Sequence, residues 1–364
     1  LHTDPYFLES SDPTSFCHRY SPNPVLNIAG KFGILSAPCD SPYPLTNSTF
    51  EFMRTNFSDI DFIVYTGDSV RHDKDKAFKR TQEQVLDTHR TVVEYVRKYF
   101  DISRIKFVIS VSSSSSCNGS LLKSSLCIEH NRLSQGPNDL LGNLSQIWAP
   151  LNLNLTSDFI KGGYFRQDIH SKISVLSLNS MYFYKKNTIV PDCNVTDGPG
   201  ALQLEWFERE LKSARHEGRK IYISQHVPPL DDSNTLSFVT SASKDEDAYS
   251  IFVLNETHVS NISSVDDVVL VLTNAPSIKP IESSINISTA IYINSGTVKL
   301  DSSSESSCMS LTVLQQSYFV NLTEANGIGE AIWRIEYVAS ETYGMNSLET
   351  KEWTRVLNKF RVPD

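Results

Sequence analysis

Five short runs rich in β-branched residues constrain this chain more than any other feature: Asp61–Tyr65, Lys106–Val111, Lys172–Leu178, Lys220–Ser224 and Val268–Leu272. Between them lie helical patterns. Val85, Val92, Val93, Val96 and Phe100 recur at helical spacing, which predicts a helix over roughly Lys76–Phe100. Leu204, Phe207 and Leu211 predict a second from about Ala201 to Glu217, stopped by Gly218, and a third falls near Leu348–Phe360. Strands alternating with helices define an α/β sheet protein. The first, second, fourth and fifth runs lead directly into polar loops, and strand ends of that kind are where open α/β sheets bind ligands. The serine stretches Ser112–Ser116 and Ser302–Ser307 read as loops.

Composition narrows the setting. With 42 acidic against 33 basic residues the net charge is −9, which argues against nucleic acid as a partner. No apolar run reaches the ~18–20 residues a bilayer span requires, so a signal peptide or membrane anchor is expected only upstream of Leu1. N-x-S/T sequons begin at Asn47, Asn56, Asn118, Asn143, Asn154, Asn194, Asn255, Asn261, Asn286 and Asn321. Their density predicts a glycoprotein of the secretory pathway, residing in a vacuolar or lysosomal lumen or secreted. Cys17, Cys39, Cys117, Cys127, Cys193 and Cys308 never form a CxxC pair, so disulfides are expected, with the pairing left open.

The sharpest motif is Thr66-Gly67-Asp68-Ser69-Val70-Arg71-His72-Asp73, directly after the first strand. The glycine permits a tight turn and the aspartate then stands at the strand's end. Read with its flanks, the motif resembles the metallophosphoesterase family and, within it, the acid sphingomyelinase/endopolyphosphatase branch, most of all the fungal vacuolar endopolyphosphatases. His2 with Asp4-Pro5-Tyr6-Phe7, Cys17-His18-Arg19, Cys39-Asp40-Ser41-Pro42, Gly136-Pro137-Asn138, Gly162-Gly163-Tyr164-Phe165, His226-Val227-Pro228-Pro229 and Tyr343-Gly344-Met345 extend the likeness in order along the chain.

The resemblance implies a four-layer α/β/β/α sandwich of two mixed sheets, formed as one domain over residues 1–364, with about 283–364 completing the second sheet. It also implies two divalent metals clamping a bridging water. Carried over position by position, Asp68 matches the metal-bridging aspartate, His2 the histidine of D-x-H, and His226 that of G-H-V-P-P. His72 and His130 fall where the family keeps active-site neighbours and are the weaker catalytic candidates; Arg71 is expected to be a salt-bridge partner.

Other ligand positions depart from the pattern. The aspartate of D-x-H would precede Leu1. After Lys106–Val111 stand Ser112–Ser116, Cys117 and the sequon Asn118 in place of G-N-N-D or G-N-H-D. After Val268–Leu272 stands Thr273-Asn274-Ala275-Pro276-Ser277 in place of G-H-x-H, and Gln225 replaces the glycine before His226. The reading is therefore a degenerate phosphatase, a pseudophosphatase that binds a protein partner or an anionic phosphate ligand and holds no metal or one weakly bound divalent ion. Two alternatives stand beside it: an active endopolyphosphatase or phosphodiesterase with two divalent metals, and a structural subunit of a lumenal or membrane-anchored assembly.

Overall fold

In this computed structural model, the structure describes residues 2–35, 37–111, 135–183, 187, 190, 197–226, 250–253, 268–273, 295–296, 315–346 and 355. All five expected strands form. The first two are β3 (Phe62–Tyr65) and β4 (Lys106–Ile109), which pair in parallel. They follow two short N-terminal strands, β1 (Thr3–Asp4) and β2 (Ser41–Pro42), also parallel, and helix α1 (Tyr43–Asn56). Helix α2 (Gln82–Tyr99) makes the crossover from β3 to β4.

The larger sheet has five strands. β5 (Phe165–His170) is antiparallel to β6 (Ile173–Ser177), and β7 (Lys220–Gln225), β9 (Val268–Thr273) and β8 (Ser250–Val253) continue it in parallel, in the order β5-β6-β7-β9-β8. Helices α3 (Asp139–Trp148) and α4 (Ser157–Gly162) precede it, and α5 (Pro199–His216) links β6 to β7. Near the C-terminus β10 (Ser295–Gly296), β11 (Gln315–Val320) and β12 (Trp333–Val338) pair with one another in antiparallel fashion, with α6 (Leu322–Ile328) between the last two.

Strand periodicity sorts the core into two. On β6, Ile173 and Val175 face one cluster with Val92, Val96, Phe107, Ile109 and Trp148, whereas Leu176 faces a second with Phe207 and Leu211 of α5. On β7, Tyr222 joins the first cluster and Ile221 and Ile223 the second. A period of two sends alternate residues to opposite faces, so β6 and β7 are covered on both sides and read as apolar runs. Toward their C-terminal ends the strands become polar. Ser110 Oγ lies 2.6 Å from Ser224 Oγ and accepts from Ser177 Oγ at 3.0 Å, so the buried hydroxyls satisfy one another beneath the cleft.

The first helix starts later than its apolar spacing predicts, at Gln82 rather than near Lys76. Asp73 accepts from the Arg80 backbone N–H (2.8 Å) and Asp75 from that of Ala77 (2.9 Å), which holds 73–80 in a loop. The helix then opens on a capping box: Thr81 Oγ1 accepts from Gln84 N, and Gln84 Oε1 accepts from Thr81 N. The second expected helix is α5, one residue shorter at its C-terminal end and begun by Pro199, whose missing N–H costs nothing at a helix start. Ser112–Ser116, Ser302–Ser307 and nearly all of the third expected helix lie outside the described residues.

Candidate functional site

The cleft is built where β1 inserts beside the loop leaving β3. His2 N donates to Asp68 O (2.7 Å), Thr3 N to Ser69 O (2.8 Å), and Arg71 N to Thr3 O (3.1 Å). On its other side Ser41 N donates to His2 O (3.0 Å), so one short strand stitches residues 2–4, 40–42 and 68–72 together. The turn that carries Asp68 is sharp. Gly67 has φ 95° and Asp68 φ 59°, a left-handed conformation that glycine adopts freely and aspartate tolerates better than most residues.

Around Asp68 stand two imidazoles. His2 Nε2 lies 2.9 Å from Asp68 Oδ2, and His226 Nε2 lies 3.4 Å from Asp68 Oδ1. Both rings are oriented from behind: His2 Nδ1 donates to Val70 O at 3.3 Å, and His226 Nδ1 donates to Thr66 O at 3.0 Å. A carbonyl oxygen only accepts, so each Nδ1 carries a hydrogen and each Nε2 is left to face the carboxylate. This backbone-oriented imidazole is how metal-ligating histidines are commonly set. Burial would raise the Asp68 pKa, but the charges of His226 and His2 and the hydrogen bond from His2 hold it well below the usual carboxylate range. Burial pushes His226 down against the pull of Asp68.

A second pair flanks the first. Asp40 takes the His72 backbone N–H on Oδ2 (2.6 Å) and the ring Nδ1–H on Oδ1 (2.7 Å), and the His72 ring stacks on His2 with centroids 4.0 Å apart. Burial opposes the Asp40 charge, yet the hydrogen bond and charge of His72 keep its pKa lowered. Behind these groups lies a buried polar network. His18 presents one ring nitrogen to Asp4 and the other to Asp75, each at 2.8 Å. Arg71 is 1% exposed; it donates to His72 O and Phe78 O, stacks over Phe78 and stands 3.9 Å from Asp4, so it braces the loop from inside.

The structure thus brings His2, Asp68, His72 and His226 together. His130 and the segment from Ser112 to Asn118 lie outside the described residues, as do 274–277 beyond β9. Asp40 and His18 were not singled out from sequence as site residues, although both sit in quoted signatures; Asp40 meets His72 across 32 residues of chain, a contact no local pattern encodes. Cys17 and Cys39 form a disulfide, which pins the residue next to Asp40. Cys117, Cys127, Cys193 and Cys308 lie outside the described residues, as do the sequons at Asn118, Asn194, Asn255, Asn261 and Asn286. A cavity of about 710 Å³ between the start of α2 and α3 is lined by Gln82, Leu86, Asn138 and Asn143 and touches none of the cleft residues.

Comparison with known proteins shows what the chain is similar to. Residues 269–364 match the family described as the acid sphingomyelin phosphodiesterase C-terminal region. The endopolyphosphatase of Saccharomyces cerevisiae is 32% identical over 238 residues, covering 63% of this chain and 34% of that protein. Over these spans the chain is similar to the acid sphingomyelinase/endopolyphosphatase branch of the metallophosphoesterases. Within that branch the endopolyphosphatase of Kluyveromyces lactis is 32% identical over 244 residues (63% of this chain, 34% of that protein), and that of Schizosaccharomyces pombe 31% over 244 residues (63% and 40%). The chain spans about a third of the length of the first of these curated relatives.

The likeness to that branch implies divalent metal, and the donor set tests it. Among the described residues, imidazoles oriented for coordination and a half-buried carboxylate fit one cation. They do not complete a pair, because a second ion sharing Asp68 would find only His226 beside it, short of the roughly three protein donors an open metal site uses.

Proposed function

We propose that this chain is an endopolyphosphatase-like glycoprotein of the vacuolar or lysosomal lumen, or secreted, whose cleft binds rather than hydrolyses. Its occupant is an anionic phosphate ligand or a protein partner. The observation that carries this reading is the asymmetry around Asp68: a well-supplied side with His2, Asp40 and His72, and a side with His226 alone among the described residues. The sequence leaving β4 and β9 points the same way, since Ser112–Ser116 and Thr273-Asn274-Ala275-Pro276-Ser277 offer hydroxyls, amides and a proline instead of imidazoles. Neutral hydroxyls are weaker donors to a divalent ion than imidazole or carboxylate, and without two ions no paired Lewis acid stabilises a phosphoryl transition state.

The finer architecture belongs to this proposal. Helices α2 and α3 cover the larger core, β3–β4 and the five-stranded sheet share it, and α5 lies on the far face. This order supports a four-layer α/β/β/α sandwich in one domain. Of the sequons among the described residues, Asn56, Asn154 and Asn321 are exposed, which supports glycan attachment there.

One observation favours the alternative of an active hydrolase: Asp68 presents its two oxygens to two separate Nε2 atoms, as a bridging ligand would. The test is binding and turnover on the same sample. Protein secreted from eukaryotic cells is titrated with short-chain polyphosphate by calorimetry and incubated with it in manganese or zinc. Binding without chain cleavage supports the proposal, and metal-dependent cleavage removed by Asp68→Asn rejects it.

A further inference from the structure

In a chain that is 21% charged and rich in sequons, the stretch from Tyr20 to Gly30 carries neither a charged residue nor a sequon. Within it Tyr20, Val25, Leu26 and Ile28 are 61%, 78%, 46% and 63% exposed, half of the eight large apolar side chains exposed among the described residues. Single exposed hydrophobes are ordinary, but four within nine residues make a patch. The stretch is also held in shape. The Cys17–Cys39 disulfide closes its base, Pro22 and Pro24 fix two φ angles, and Pro24–Leu26 form a 3-10 turn capped by Asn23. Asn326 of α6 holds the returning chain, accepting from Phe32 N and donating to Gly33 O at 2.8 Å each, and Ile328, 55% exposed, follows two residues later.

The polar atoms of the loop indicate what covers it. Two of residues 21–27 are proline, and every other backbone N–H among them is satisfied inside the loop. Ser21 N donates to Asn27 Oδ1 (2.7 Å), Asn23 N to Ser21 Oγ (3.2 Å) and Val25 N to Asn23 Oδ1 (3.2 Å). Leu26 N donates to Asn23 O and Asn27 N to Pro24 O, each at 3.1 Å, and Asn27 Nδ2 returns a bond to Ser21 O at 3.0 Å. A loop facing water has no need of this closure, whereas one entering hydrocarbon must bring no orphan donor with it. The closure also leaves no backbone N–H in 21–27 with which a partner strand could pair. We propose that this loop docks the protein on a zwitterionic lipid surface, with Val25, Leu26 and Ile28 entering the acyl boundary and Tyr20 at the level of the headgroups. A net charge of −9 disfavours an anionic membrane and the tip itself is uncharged, so apolar insertion rather than charge carries the contact. The inference is independent of whether the cleft cleaves its ligand.

The experiment co-sediments the secreted, glycosylated protein with sucrose-loaded phosphatidylcholine vesicles, at low and high salt and with excess inorganic phosphate. Parallel samples carry Val25→Ser together with Leu26→Ser, or Leu26→Trp alone, and thermal unfolding confirms that each is folded. The expected result is binding to phosphatidylcholine that survives salt and phosphate and is about 100-fold weaker in the double variant. Leu26→Trp keeps the tip apolar, so it should bind like the parent and show added tryptophan emission that brominated lipid quenches. No sedimentation with the vesicles, sedimentation indifferent to the double variant, or an added tryptophan that lipid does not quench overturns the proposal. Release by inorganic phosphate would place the lipid contact in the cleft, and release by salt would make it electrostatic; either overturns insertion of the loop. Self-association of the parent in analytical ultracentrifugation, abolished by the double variant, would make the occupant a second copy of the chain and overturn it as well.

Discussion

His18 holds a carboxylate at each ring nitrogen and is almost entirely buried, with Arg71, Arg19 and the edge of Phe78 as its other neighbours. Burial lowers its pKa, but the hydrogen bonds it donates to Asp4 and Asp75 win and raise it overall. A raised folded pKa contributes stability that is fully present below the unfolded value near 6.5 and is lost as pH rises through the folded pKa. His89 runs the other way: burial against Trp148 pushes it down to about 4, so its contribution is full above about 6.5 and is lost as pH falls toward 4. That window corresponds to about 3 kcal/mol at most. Urea unfolding as a function of pH separates them. His18→Gln should remove stability mainly on the acid side, flattening the decline at higher pH, while His89→Leu should flatten the loss between pH 6.5 and 4. An unchanged pH slope in either variant would contradict the assigned role. At this scale the sequence was informative where a residue sits in its own motif, as Asp68 and His226 do. It gave no role to Asp40 and His18, though both sit in quoted signatures, and none to His89, because those roles are set by partners 32, 57 and 59 residues away in the chain.

At the level of elements, the apolar spacing located α2 and α5 and the five strands, because burial on one face or both leaves a periodic record. Start points were less legible. The loop 73–80 has helix-compatible composition, and only the side-chain bonds of Asp73 and Asp75 keep it out of α2. The T-x-x-Q box that opens the helix was there to be read. Thr81→Ala should therefore cost about 1 kcal/mol in urea unfolding, and Thr81→Ser much less; equal losses would show that the hydroxyl cap is not what starts the helix. Strand β5, Phe165–His170, escaped notice because an edge strand exposed on one side carries Arg166, Asp168 and His170 among few apolar residues.

Across the whole molecule, the site is a junction of three distant segments that the sheet cannot align by itself: residues 2–4, 40–42 and 68–72 meet through β1 and β2. The Cys17–Cys39 bond closes a loop with a sequence separation of 22 residues directly onto this junction. Loops of that size are worth roughly 3 kcal/mol when cross-linked, so the double Cys→Ser variant should unfold at lower urea by about that amount and lose the ordered cleft first, seen as faster hydrogen exchange at residues 2–4 than on β6. Equal exchange at both would contradict it. The mixed α/β character of the fold was legible in the alternating runs. The distribution of donors around Asp68 was legible only in part, since it depends on which residues the fold brings into reach.

The central claim is that this cleft holds a phosphate-type ligand and does not cleave it. Chain shortening of long-chain polyphosphate, followed by phosphorus NMR with zinc or manganese supplied, tests it most directly. The account predicts a ratio of terminal to internal phosphate signals that stays at the level of the metal-only blank. A ratio that rises with protein concentration, and returns to the blank in Asp68→Asn, would contradict it.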